Sequence, residues 1–173
     1  ASIHQRVLCK LGRIAGRDLA SKFRRRIVSE IPTAKTQIHP WGELLRLAVG
    51  SLDRDGRITD LVWERTELGF DRNVARQLHP GLSGVYGFEH SSLSTFQRAR
   101  LLGVRVAYDV PAPESEFVHR LLAAEVDRFP ELRTAYSRHT AEREQTRTAR
   151  RHAEWNNADV IIAASRFTRD SYA

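Results

Sequence analysis

Three polar residues stand where strand ends would carry them to one rim of a sheet. Glu89 and His90 follow the short run Gly84-Val-Tyr-Gly-Phe88, and Asp109 comes near the end of Val104-Arg-Val-Ala-Tyr-Asp-Val110. A carboxylate beside an imidazole suits vicinal hydroxyl groups, so Glu89 and His90 could bind or position a hydroxylated acceptor. Loop polarity and favourable charge near a helix N-terminus explain the same two residues without a ligand. Asp109 can face a ligand, or only fix the turn before Pro111. Ser165 and Arg166 open the last helix, where amides and a guanidinium can hold a phosphate. A capping serine and a solvated arginine are the plainer account.

The elements that must position these residues follow from periodicity. Val160 to Ala164 is an unbroken small or β-branched run, suited to a parallel strand covered on both faces. The runs at 84–88 and 104–110 read as two earlier strands. Ser91 or Ser92 caps a helix through Leu102 that Gly103 closes. A helix follows from about Glu114 to Phe129. After Pro130 a long polar helix runs to about Asn156, with a thin apolar stripe (Leu132, Tyr136, Ala149, Ala153), and reads as a solvated crossover. Upstream, Pro40 starts a helix, and another spans about Asp60 to Leu78, interrupted or strained near Gly69. Strands alternating with helices predict an α/β domain with a parallel, Rossmann-like sheet. Three strands leave edges exposed, so further strands are expected outside this segment.

Composition narrows the classes. The chain has 173 residues, 41% hydrophobic and 28% charged, as in a globular domain with a real core. No apolar run reaches the roughly 18 residues that span a bilayer, and no signal peptide is visible. The single Cys9 allows no intrachain disulfide, and the seven histidines have no zinc spacing. These features favour a cytoplasmic setting. There is no methionine, as in an internal segment of a longer chain, although chance explains this too. The net charge of +7 is concentrated: residues 1–28 hold eight Lys/Arg against Asp18, and the remainder carries twenty of each sign. That arm reads as a basic amphipathic helix, in two pieces because Gly12 and Gly16 weaken its middle. It either packs on the domain or lies on an anionic membrane surface; no aromatic stacking motif accompanies it for nucleic acid.

Signature motifs of nucleotide and hydrolase chemistry are missing: no G-x-G-x-x-G, P-loop, G-x-S-x-G or H-E-x-x-H occurs. The segment Ala158-Asp-Val-Ile-Ile-Ala-Ala-Ser-Arg-Phe-Thr168, however, resembles the A-D-x-V-I-x-x-S-x-F-T stretch in the N-terminal domain of retaining GT-B glycosyltransferases of family 4. A lesser likeness extends over Val85-Tyr-Gly-Phe-Glu-His-Ser-Ser-Leu-Ser-Thr-Phe96, and a weak one reaches back to about residue 25.

The resemblance implies an incomplete GT-B N-terminal, acceptor-side domain over residues 29–173, preceded by extra helices and the arm of residues 1–28. It implies a hexosyltransferase-type reaction that moves sugar from a nucleotide sugar to an acceptor, with no further cofactor. The donor would be bound mainly by a C-terminal domain outside this chain, since the E-x7-E pattern of that domain is absent, as are the opening strand and glycine loop. Relatives carry a histidine step at or after the second strand; that register falls on Pro111, so no catalytic histidine carries over. Sugar acceptor and nucleotide sugar are then the expected partners, with peripheral contact to the inner face of a membrane through the arm. The rival reading is a non-catalytic α/β module that docks its arm on an anionic membrane or partner. A receiver-like regulator would need more acids at strand ends than Glu89 and Asp109 supply.

Overall fold

The computed structural model of the chain describes residues 31–37 and 39–172. The basic arm of residues 1–28 lies outside the described residues. The chain divides into two units, residues 1–39 and 40–173. In the first, Thr33–Lys35 form one 3-10 turn.

The second unit runs α1 (Pro40–Gly50), α2 (Arg57–Gln77), β1 (Val85–Phe88), α3 (Leu93–Leu101), β2 (Val106–Val110), α4 (Ser115–Arg128), α5 (Ala135–Trp155), β3 (Val160–Ala163) and α6 (Arg166–Ser171). The predicted order holds, with boundaries shifted by local chemistry. Pro40 is the first residue of α1, where its missing N–H costs nothing. The α2 helix continues unbroken through Gly69, which has open space around it. A lone exposed glycine costs about 1 kcal/mol against alanine, too little to stop a helix of this length. Gly103, at φ 68°, closes α3 as expected. Pro130 opens only a 3-10 turn (Pro130–Leu132). The α5 helix begins at Ala135, where the Thr134 and Ser137 side chains each bond the other's backbone N–H.

The three strands are parallel, in the order β1-β2-β3, with Val85 opposite Val106 and Tyr108 opposite Ile161. This is an α/β unit with an open parallel sheet, consistent with a Rossmann-like fold. Asp159 pins the two later strands at their start: its backbone N–H donates to the Val106 carbonyl (3.0 Å), and its carboxylate accepts from the Val106 N–H (2.7 Å).

Alternation along β2 buries Val106, Tyr108 and Val110 on one face. Phe96 and Ala99 of α3 complete that core with Val104, and the Phe96 and Tyr108 rings meet edge to face. Gly87 of β1 lies under this layer. A Cβ there would stand 2.7 Å from Phe96 Cε1 and closer still to Ser92 Oγ. Gly87→Ala should therefore cost about 1–3 kcal/mol by overpacking, read by urea denaturation. Unchanged stability would mean that the Phe96 ring yields freely.

The other face differs from expectation. Val160 and Ile162 of β3 are 56% and 41% exposed, and Tyr86 and Phe88 of β1 are exposed beside them. The apolar run of β3 was expected to be covered on both faces. It lies instead at a sheet edge, and no described element covers the face that Val160 and Ile162 share with Tyr86 and Phe88. Among the described residues no helix is long and apolar enough to cross a membrane.

Candidate functional site

The loop from β1 to α3 is shaped by two carboxylates that reach it from distant helices. Glu154 of α5 is fully buried. Its carboxylate accepts from the backbone N–H groups of His90 (2.7 Å) and Ser92 (3.1 Å) and from the Tyr108 hydroxyl (2.9 Å). Asp71 of α2, also fully buried, accepts from the N–H groups of Ser94 and Thr95, both at 2.8 Å. Asp71 thereby satisfies amides in the first turn of α3, which no intrahelical carbonyl can reach. Ser92 stands at the expected cap position, but its hydroxyl donates to the Phe88 carbonyl instead.

Arg150 ties the two carboxylates together. It lies 2.7 Å from Asp71, 3.3 Å from Glu154, and donates to the His90 carbonyl at 2.9 Å. Under this hold, His90 takes a left-handed backbone, φ 75°. Such a conformation is uncommon outside glycine and persists where the surroundings enforce it. Its ring meets Trp63 of α2 edge to face at 5.3 Å.

These contacts belong to a longer zone of opposite charge. Along α2 the acids Asp60, Glu64, Glu67 and Asp71 recur at steps of three and four, and along α5 so do His139, Arg143, Arg147 and Arg150. Asp60 meets His139 (3.0 Å) and Arg147 (2.6 Å), and Glu64 meets Arg143 (2.6 Å) and Arg147 (3.1 Å). Glu67 is hydrogen-bonded by the Ser91 side chain. The expectation that α5 is a solvated crossover helix is therefore corrected. Its charged face buries His139, Arg147, Thr148 and Glu154.

A cleft of about 340 Å³ opens beyond the carboxyl ends of β1 and β2, where open α/β sheets place ligands. The three strands follow one another without a reversal of order, so strand ends and the flanking helices, not a switch point, place it. Glu89 and His90 line it, with Arg151 and Glu144 of α5 beside them. Trp63, Phe88 and Pro111 form apolar walls, and α4 contributes Val118, His119 and Leu122. Glu89 is ion-paired with Arg151, which also holds Glu144 at 3.1 Å. Glu144 and His119 also border a second hollow, of about 560 Å³, between α4 and α5.

Electrostatics follow burial. Burial pushes the His90 imidazole down to about 4, reinforced by the charges of Arg151, Arg147 and Arg150, so the ring is neutral at neutral pH. Burial raises Glu89 against the pull of Arg151, and the neighbouring Glu154 and Glu144 add to the rise. Burial likewise raises Glu154 despite its three hydrogen bonds. Burial would also raise Asp71, but the amides and hydroxyls of Ser94 and Thr95 outweigh it and hold the carboxyl below the usual range.

The other anticipated residues lie elsewhere. Asp109 does not line the cleft; it accepts from the Tyr86 hydroxyl on the exposed sheet face. Ser165 caps α6, accepting from the Thr168 N–H at 3.0 Å, and that helix has only six residues. Trp63, Glu144, Arg151 and the supporting Glu154, Asp71 and Arg150 were not foreseen. Among the described residues no group of three His, Cys, Asp or Glu is placed to hold a metal ion.

Fold and cleft together define an α/β domain with a cleft beyond its strand ends. No protein-family model, curated protein or solved structure matches the chain.

Proposed function

We infer that the chain is the acceptor-binding part of a glycosyltransferase of the retaining GT-B kind, which moves sugar from a nucleotide sugar to a hydroxyl of an acceptor held in the strand-end cleft. One observation carries this reading: Glu89 and neutral His90 meet in a partly apolar cleft beyond β1 and β2. The mixture suits a hydroxylated ring, with polar groups for its hydroxyls and Trp63, Leu122 and Pro111 for its C–H faces. In this reaction the charge to be stabilised sits on the departing diphosphate, which needs cations and helix N-termini. In this chain the amides at the start of α3 already serve Asp71, so the donor's phosphates would be held by another domain.

The chain alone should then bind simple hexoses weakly and turn over no nucleotide sugar. Titration by NMR with D-glucose should perturb the amides of residues 88–92. Glu89→Ala should weaken binding at least about tenfold, the loss of a charged hydrogen-bonding partner. Undiminished binding in that variant would sink the reading, and turnover by the chain alone would overturn the placement of the donor site in another domain.

A second reading rests on the seven net positive charges of residues 1–28. On it, the chain is a non-catalytic module that lies on an anionic membrane. Salt-sensitive co-sedimentation with phosphatidylserine vesicles, lost on removal of those residues, would favour it.

A further inference from the structure

Around the cleft, the loop amides and both nearby arginines already hold carboxylates of the protein's own. The loop amides of His90 and Ser92 bind Glu154, and the Ser94 and Thr95 amides bind Asp71. Arg150 spans those two carboxylates. Arg151, the arginine that lines the cleft, is engaged by both Glu89 and Glu144. An incoming phosphate or carboxylate would have to draw a guanidinium away from a part-buried carboxylate, which would then be left unpaired.

The charge count along the cleft points the same way. Two carboxylates, Glu89 and Glu144, face one guanidinium, Arg151, and His90 is neutral. The remaining titratable group on the wall is the exposed His119 of α4. Counted without His119, the lining carries one net negative charge in a site partly walled by apolar side chains, and Arg147 and Arg150 oppose it only at the His90 end, away from Glu144. A hydroxylated ring without charge fits it, and an ammonium substituent would add attraction to both carboxylates.

Resting on the acceptor reading of this cleft, we propose that it selects a hydroxylated ring bearing a protonated amine over its neutral parent, and rejects the phosphorylated ring. The acceptor class is thus amino-sugar-like, and Glu89 and Glu144 set the preference while Arg151 limits it.

The test is a matched titration of the full chain with D-glucosamine, D-glucose and D-glucose 6-phosphate, at a pH where the amine is protonated. Glucosamine should bind about tenfold more tightly than glucose, as one unscreened charge contact within a cleft allows. Glucose 6-phosphate should bind at least about tenfold more weakly than glucose. Glu144→Gln, which brings the lining to neutrality, should close most of the gap between glucosamine and glucose. Arg151→Gln should widen it, and a merely structural role for these residues would not move the two variants in opposite directions. Added salt should narrow the gap in the unaltered chain. Glucose bound without this order, or glucose 6-phosphate bound as tightly as glucose, overturns the selectivity and leaves the acceptor reading standing. Failure of all three sugars to bind overturns both.

Discussion

Glu154→Ala should lower the unfolding free energy by about 3–5 kcal/mol, the usual loss when one partner of a buried charged network is removed. The substitution strips the acceptor from the His90 and Ser92 N–H groups and from the Tyr108 hydroxyl, and leaves Arg150 with Asp71 as its one carboxylate partner. Against a typical domain stability of about 5–15 kcal/mol, that is a large share. Two smaller changes grade the effect. Tyr108→Phe removes one donor and should cost about 1 kcal/mol. Glu154→Gln keeps the volume but turns an amide N–H₂ toward other donors, so it should fall between the two. Urea denaturation gives the energies. Hydrogen exchange at residues 90 and 92 tells whether the loop is released, as expected, before global unfolding. A loss below about 1 kcal/mol in the alanine variant, with unchanged exchange, would mean that the loop holds its shape without the carboxylate.

Acid should weaken the fold through His90. Its imidazole is held down to about 4 when folded, against an ordinary value of 6.5. Between those limits the unfolded chain takes up a proton that the folded chain refuses. Stability therefore falls as pH drops from 6.5 through 4, by about 3 kcal/mol in all for a shift of this size. Glu89 and Glu154 are shifted upward, so their titration favours the folded state on acidification and opposes the trend. Asp71, shifted downward, contributes stability that is lost only below its unfolded value of 3.8. His90→Asn isolates the histidine, since asparagine tolerates the left-handed backbone better than most residues. The stability difference between the two proteins should be flat above pH 6.5 and should shift steadily in favour of the variant below it. Parallel curves would show that the folded ring titrates normally.

Much of the frame was legible in the sequence, and the reasons are local. Apolar runs, proline and glycine stops and cap residues located each of the three strands and the helices between them, with Gly103 and Ser165 in their expected roles. The position of Glu89 and His90 followed from one rule about strand ends. What escaped was long-range and polar. The apolar stripe of α5 is thin, so the helix read as solvated, yet His139, Arg143, Arg147, Arg150 and Glu154 recur at helical spacing on one face. The matching recurrence of Asp60, Glu64, Glu67 and Asp71 on α2 was the available signal. A search for hydrophobic periodicity passes over it, because sign, not hydropathy, carries the pattern. Asp109 falls outside the cleft for a simpler reason. In a strand, neighbours point to opposite faces, and Val106, Tyr108 and Val110 had already claimed the core side.

The charged seam between α2 and α5 also shapes the calorimetry of this fold. Exposing apolar surface raises the heat capacity of unfolding, whereas exposing polar surface lowers it. Helices that meet through carboxylates and guanidiniums bring little of the first kind and much of the second. A domain joined this way has a shallow stability curve: it gains less than an oil-packed neighbour near its optimum temperature, and gives up less on either side of it.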